Sequence, residues 1–474
     1  MSDYLHGIET SQTNEINITI KPAEMSAVCI IGTTPKELEG YPKVTNYTEL
    51  AQYLGSNLDG FTLAEAAETI LKESEGADIY PINIYDRSKH TALVEKSITF
   101  TDNKYELKEL DIHELVLKRI SDEETTVLNL NTDYTFENNV ITLKIENAEN
   151  ITASYKYFDI TKITDSDVIG GVDENGKRSG LQKIYDIKAE WGVMPRIILA
   201  PGFSNKNVRN SIEEIAGKIR GLAFVDAPKG TNVPLVEKAR LKETNGIDLT
   251  GSSEDVVMCL PYVKRYNSNQ NTTLLKPLSP VSAGIRIRLD RERNIAKSID
   301  NTVSKTILGL EFPIYFDETD KNADSNRLSA MGVVTAVNKD GEFRIWGSHS
   351  TAFKKDVNEG LMTFESAKRT RYFIELSIEN SSFECIGENI TQGFIDDVLN
   401  SINAFFAAHS NPLDRKNQIM YSGQAFYDPV KNPAEKIAQG IITFSYKHCP
   451  LASADTIQFE DVLDITIITK VLNS

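Results

Sequence analysis

Hydrophobic and polar residues alternate near both ends of the chain, strictly so near the first. In Glu15-Ile16-Asn17-Ile18-Thr19-Ile20-Lys21, the three isoleucines Ile16, Ile18 and Ile20 fall on one side of an extended segment and the polar residues on the other. Between Glu460 and Leu472, Leu463, Ile465, Ile467 and Val471 fall on one face, with Asp464, Thr466 and Lys470 opposite. A period of two is that of a half-buried strand, so both termini are expected to be strands. Neither adjoins an Asn-Gly or Asp-Gly hairpin turn; Pro22 sets off the first and the segment from Pro450 to Asp455 the last. A strand must find mates for its backbone N–H and C=O groups. These two either pair inside their own fold or are handed to another copy, and the second arrangement makes a polymer.

Between the ends the pattern changes twice. Ala27 to Thr33 is a continuous apolar run closed by glycine, the mark of a strand covered on both faces. Tyr47 to Leu54 and Leu63 to Lys72 carry helical spacing, and Ala77 to Tyr85 reads as a strand in which Pro81 places a kink or an edge. From about His90 to Asp165 short alternating segments (Ser97 to Thr101, Val127 to Asn131, Val140 to Ile145, Ile151 to Phe158) follow one another with hardly a helical period, which predicts a small, acidic, solvent-displayed β-domain. The α/β pattern then resumes. Pro195 to Ala200 is a strand, Val208, Ile212, Ile215 and Ile219 trace one stripe of a helix expected to cap at Gly221, and Leu222 to Asp226 completes a βαβ unit. Further on, Ile395, Val398, Leu399, Ile402, Phe405 and Phe406 mark the buried stripe of a helix over about Thr391 to Ala408, with Asp396, Asp397, Asn400 and Asn403 opposite. Ile441 to Lys447 is a further strand. The fold class is α/β (α+β), multidomain: a layered α/β core with an inserted small all-β domain and extended N- and C-terminal strand arms.

Composition narrows the function. With 474 residues, 40% hydrophobic and 25% charged, the chain has room for two or three domains and a large core, and no apolar run is long enough to suggest a membrane span. The opening Met1 to His6 has neither a basic nor an apolar signal region, so folding in a cytoplasm is expected. A formal charge of −17 argues against nucleic acid and against an anionic membrane surface as partners. It requires contacts between copies to run through apolar surface, backbone bonding or local charge complementarity. The four cysteines, Cys29, Cys259, Cys385 and Cys449, are far apart and read as buried free thiols rather than disulfides or zinc ligands.

Candidate chemistry is sparse. Gly171-Val172-Asp173-Glu174-Asn175-Gly176-Lys177 satisfies the letters of a phosphate loop, but Arg178 stands where a magnesium-binding Ser or Thr is required, and an exposed turn is the better reading. The crossover Pro201 to Ser204 lacks a dinucleotide fingerprint. No HExxH, GxSxG or Cys-His arrangement occurs; His448-Cys449 reads as a strand end, and Asp396-Asp397 as a solvated or partner-facing pair. No catalytic, cofactor or metal residues are assigned, and an enzyme is not expected.

One stretch carries a family resemblance. Ser279-Pro280-Val281-Ser282-Ala283-Gly284-Ile285-Arg286-Ile287-Arg288-Leu289-Asp290, followed by Lys297 to Asn301, Asn326-Arg327-Leu328 and Arg344-Ile345-Trp346-Gly347, resembles the signature of contractile phage tail sheath proteins. Tyr4 to Glu9 and Ile30 to Pro35 look like the N-terminus of the branch found in P2-like phages, which includes R-type bacteriocins. The chain departs from the pattern at Asn294 (usually Gly), at Ile299 (usually Pro) and at Ser348-His349-Ser350 (usually Asn-Arg-Thr). Ser279, Pro280, Ala283, Gly284, Asp290, Asn301, Asn326, Trp346 and Gly347 are the motif residues retained.

The resemblance implies a subunit that polymerises as helically stacked six-fold rings around an inner tail tube and contracts to drive the tube through a cell envelope. Its partners would be other copies of itself, the tube protein, and baseplate and tail terminator proteins, in a virion or phage-like tail assembled in a bacterial cytoplasm. It further implies an N-terminal arm (residues 1–22) and a C-terminal arm (449–474) donated to neighbours, a core (23–89 and 166–350), the inserted domain (90–165), and a C-terminal domain (351–448) with one helix facing the tube. Ile16, Ile18, Ile20, Leu463, Ile465, Ile467 and Val471 would be the donated strand residues, and Ile441, Thr443, Phe444 and Tyr446 would belong to the accepting strand. A soluble α/β enzyme with a β insertion and a non-contractile filament protein are the rival readings.

Overall fold

The computed structural model describes residues 19–120, 125–145, 149–244 and 246–472. Val28–Gly32 (β1) leads through helices Tyr47–Tyr53 (α1) and Leu63–Ser74 (α2) to Ile79–Asn83 (β2), which pairs parallel to β1. The chain then leaves this layer for seven antiparallel strands: Thr91–Ile98 (β3), Lys104–Glu106 (β4), His113–Ile120 (β5), Thr125–Leu128 (β6), Tyr134–Glu137 (β7), Val140–Leu143 (β8) and Ile151–Phe158 (β9). They form two small sheets, ordered β3-β9-β5-β6 and β4-β8-β7, around a core of their own that includes Leu117, Ile141 and Tyr155.

The layer resumes with helices Asp165–Ile169 (α3) and Ile184–Trp191 (α4), strand Ile197–Leu199 (β10), helix Lys206–Ile219 (α5), strand Leu222–Asp226 (β11), helix Val233–Arg240 (α6) and strand Val256–Cys259 (β12). A hairpin, Val263–Asn267 (β13) and Thr272–Lys276 (β14), precedes the long helix Ser279–Glu292 (α7). Thr302–Val303 (β15), Gly309–Leu310 (β16), helix Asp324–Ser329 (α8), Val333–Lys339 (β17) and Glu342–Trp346 (β18) complete this part. The central sheet has the order β15-β18-β17-β12-β11-β10-β1-β2, parallel from β2 to β17 and antiparallel beyond.

Both faces of this sheet are covered, which explains the unbroken apolar runs. Cys29 and Ile31 of β1 pack on the side of α4, α5 and α6, while Val28 and Ile30 pack on the side of α1, α2 and α7. Pro81 lies on β2, an edge strand, so its missing N–H removes no ladder bond. Gly284 of α7 lets that helix lie directly on α2: a Cβ there would stand 2.6 Å from the Cβ of Glu73 and 3.2 Å from the Cα of Ile70.

The remaining residues build a separate cluster from helices Glu365–Ser381 (α9) and Gln392–Ser410 (α10), strands Met420–Tyr427 (β19) and Phe444–Pro450 (β20), and the short helix Ala434–Ala438 (α11) between those strands. A last helix, Thr466–Leu472 (α12), follows an irregular stretch.

Several sequence expectations are corrected. Residues 460–472 are not a strand: Glu460 to Asp464 are irregular, and α12 begins where the Asp464 carboxylate accepts bonds from the backbone N–H (2.9 Å) and hydroxyl (2.6 Å) of Thr466. Without a strand beside it, this backbone pairs with itself. Ile16 and Ile18 lie outside the described residues, and Thr19 to Lys21 form no strand. The strand expected at Ile441 to Lys447 is shifted to Phe444–Pro450, because Thr443 is held by the side chain of Asn432 (2.7 and 2.9 Å) and Ile441 N–H closes onto Lys436 O. That places His448 and Cys449 within β20. The left-handed residue ending α5 is Arg220 (φ 53°), not Gly221; Gly221 is needed because a Cβ would meet the Arg196 carbonyl at 2.7 Å. Cys29 and Cys259 are buried free thiols, but Cys385 is half-buried and Cys449 exposed.

Candidate assembly interface at the roots of the terminal arms

Helix α7 carries Arg286, Arg288 and Asp290 in a run that is otherwise apolar and almost wholly buried. A charge survives burial only when paired and hydrogen-bonded, and its partners come from a distant part of the chain. Arg286, fully buried, bonds Asp290 one turn on (2.9 Å), Glu365 at the start of α9 (3.2 Å) and the Lys297 carbonyl (2.5 Å). Arg369, one turn further along α9, grips Asp290 with both Nη atoms, at 2.8 Å each. Glu365 also accepts the Ile299 N–H at 3.0 Å. Burial would push the Asp290 carboxyl up, but Arg286, Arg369 and Ser26 outweigh it and hold it below the usual carboxylate range. The cluster therefore clamps the layered core to the C-terminal cluster.

Both arm roots attach to the same clamp. Arg369 donates to the Met25 carbonyl (2.8 Å), and the Ser26 hydroxyl donates to Asp290 (2.9 Å). Upstream, Ala23 and Lys21 donate backbone N–H bonds to Ser377 and Ser381 of α9, so the N-terminal segment runs along that helix and buries Ile20. On the other side, Glu365 N–H bonds the Ser348 carbonyl, and the Ser348 hydroxyl donates to Asp455 at 3.0 Å. His349, stacked on Phe353, stands 3.5 Å from the same carboxylate; its ring and the Ser348 hydroxyl hold Asp455 below the usual carboxylate range. Ser366 and Ser453 hydroxyls meet at 3.2 Å. Beyond Asp455 the arm is exposed residue after residue through Ile468.

β19 and β20 pair antiparallel, from Met420 with Pro450 to Tyr427 with Phe444, and among the described residues neither has a second strand beside it. A two-stranded ribbon is marginal alone; this one is backed by α10, whose Phe406 contacts Tyr446 and would meet a Cβ at Gly423 within 2.7 Å. Asn403 clamps Ala425 of β19 with two bonds (2.8 and 3.2 Å), so it does not share the wet face of α10 with Asp396 and Asn400.

The motif residues occupy structural positions. Asp226, buried at the end of β11, accepts the backbone N–H (2.8 Å) and hydroxyl (2.6 Å) of Ser279 and so caps α7, with Pro280 in the first turn. Ala283 and Gly284 lie in the core face against α2. Asn301 takes a left-handed turn (φ 53°) and accepts from Arg344 (3.2 Å), and Asn326 bonds the Asp320 carbonyl (2.7 Å). Trp346 meets Phe316 edge to face, and Gly347 (φ 118°) donates to Asp300 (2.8 Å). Gly171 to Lys177 is an exposed β-turn closed by Asp173 and Lys177.

Of the strand residues, Ile20 is buried against its own chain, whereas Leu463, Ile465, Ile467 and Val471 are exposed, the last two on α12. Phe444 and Tyr446 lie in β20; Ile441 and Thr443 precede it. Sequence reasoning missed Ser26, Glu365, Arg369, His349 and Asp455 as parts of one site. The available signal was the presence of charges inside an apolar helix without a polar face.

No family model matches the chain. It is 29% identical over 463 residues, 94% of each chain, to the tail sheath protein of Burkholderia phage BcepMu. It is 23% identical to the tail sheath protein of Escherichia phage P2 over 288 residues, 61% of this chain and 68% of that one. Among solved structures, the sheath of an extracellular contractile injection system (PVC, contracted state) superposes with a TM-score of 0.60 at 11% identity, covering 98% of this chain and 99% of the other. The contracted helical sheath of the anti-feeding prophage gives 0.57 at 12% identity, covering 98% and 100%. The fold is therefore that of the contractile injection system sheath subunits. By sequence, the chain is similar to the phage tail sheath proteins.

Proposed function

We propose that this chain is the structural subunit of a contractile tail sheath, polymerising around an inner tube in helically stacked six-fold rings whose contraction drives the tube forward. The observation that carries the reading is the two-stranded β19–β20 sheet, which has no third strand among the described residues, together with two terminal segments fastened to one buried clamp. Sheet edges recruit strands through backbone bonds that are indifferent to net charge, which suits a chain of −17. Arms from neighbouring copies would add beside β19 and β20, with Ile16, Ile18, Leu463, Ile465, Ile467 and Val471 supplying register. For the C-terminal arm this requires α12 to unwind, which a seven-residue exposed helix does at little cost.

Contacts of this head-to-tail kind build open helices. The partners are other copies of the chain, a tube protein along one C-terminal helix, and baseplate and terminator proteins at the ends, in a tail assembled in the bacterial cytoplasm. Negative-stain electron microscopy of the purified chain tests the reading. Hollow tubes are expected; dispersed particles at high concentration contradict it, and tubes of one fixed, unchanging state favour a static filament.

A further inference from the structure

A cleft of about 750 Å³ opens between the end of α7, the loop 411–418 and the first residues of the C-terminal arm. Its lining is cationic on a strongly acidic chain: Arg293, Lys297, Arg415 and Lys416 outnumber Glu292 and Asp300. Arg293, Arg415 and Lys416 are exposed, and none has a carboxylate within ion-pair distance among the described residues. The loop is built to hold this shape. Asn294 donates to the carbonyls of Arg415 (3.4 Å), Lys416 (3.0 Å) and Gln418 (3.2 Å) at once. Leu413, at its tip, is 92% exposed.

The complementary segment is on the same chain. Phe459-Glu460-Asp461-Val462-Leu463-Asp464 holds three carboxylates in six residues, no cation, and apolar side chains between them. Phe459 and Leu463 are 92% and 86% exposed, so this stretch does not pack on its own body. We propose that the cleft receives the acidic segment Glu460–Asp464 of a second copy, with Arg415 and Lys416 facing Glu460 and Asp461 and Leu413 meeting Val462. This rests on the sheath reading and adds to strand pairing an electrostatic dock that selects which arm enters. Opposite charges across an interface steer encounter and fix register, while like charges exclude wrong partners.

A charge swap in the full-length chain tests it. Arg415→Glu/Lys416→Glu and, separately, Glu460→Lys/Asp461→Lys are expected to remain folded by circular dichroism, since all four side chains are exposed. Each pair is expected to raise the protein concentration needed for tube formation about tenfold at low salt, with a smaller effect at high salt. Joining both pairs in one chain is expected to restore assembly. Cleft variants that assemble like the unaltered chain, or a swap that restores nothing, overturn the dock while leaving the sheath reading intact; the latter result assigns the cleft to a different acidic surface. An unaltered chain that never forms tubes overturns both.

Discussion

Arg369 and Asp290 meet through two parallel 2.8 Å hydrogen bonds in the interior, and the same guanidinium reaches the Met25 carbonyl at the root of the N-terminal arm. A bidentate pair of this kind fixes direction as well as distance. It ties α7, α9 and the arm into one joint, so the arm's departure angle is set by side chains far from it in sequence.

Removing one partner of that pair strands the other charge. Arg369→Ala is expected to destabilise the chain by about 3–5 kcal/mol, read as a lowered midpoint in urea unfolding. Arg369→Lys keeps the charge but loses the fork, so it should recover only part of the loss. A change below about 0.5 kcal/mol, the size of an ordinary surface substitution, would contradict the clamp.

The close approach of α7 to α2 leaves no room for a methyl group at Gly284. Gly284→Ala, although it favours a helix, is expected to cost about 1–3 kcal/mol through displaced backbone, visible as a lower thermal midpoint. Gly171→Ala, with open space around it, should have little effect by the same measure.

Asp226 gives a pH signature. Burial raises its carboxyl to about 6 despite the bonds from Ser279. The folded chain therefore holds a proton that the unfolded chain has released between the ordinary carboxylate pKa of about 4 and about 6. Folding takes up a proton in that window, so this group's contribution falls as pH rises from 4 to 6 and is fully unfavourable above 6. Asp226→Asn should remove this slope, so the stability difference between the two proteins should change between pH 4 and 6 by a few kcal/mol at most. Parallel curves through that window would show that Asp226 titrates normally.

The core was legible because each strand and helix buries a face whose period survives in the sequence. Val28–Gly32, α2, α5 and α10 stand close to where apolar spacing put them. His113–Ile120 was not legible, since only Leu117 in it is buried. The strand at 441–447 was displaced by the side chain of Asn432, a long-range effect that periodicity does not carry. Leu463, Ile465, Ile467 and Val471 keep the spacing of a strand, yet Leu463 lies in the irregular stretch before α12 and Ile467 and Val471 lie on α12, with no strand paired to them among the described residues. The clamp was illegible because Asp290, Glu365, Arg369 and Asp455 come together only in the folded chain; the resemblance supplied Asp290 without a reason for it.

Deleting residues 456–474 leaves Asp455 and its bonds to Ser348 and His349 in place and removes a segment that is exposed from Thr456 through Ile468. The shortened protein is expected to unfold at an unchanged midpoint and to stay dispersed under conditions in which the full chain makes tubes. Tubes of normal dimensions from the shortened chain would count against arm exchange.

The central claim, that copies are joined by exchanged polypeptide, is tested most directly by a cryo-electron microscopy map of the assembled tube traced through both ends of the chain. The expected trace runs from Asp455 into an adjacent copy and lies as a strand beside that copy's β19 or β20. A trace in which both ends fold back on their own body, with no chain crossing between copies, contradicts it.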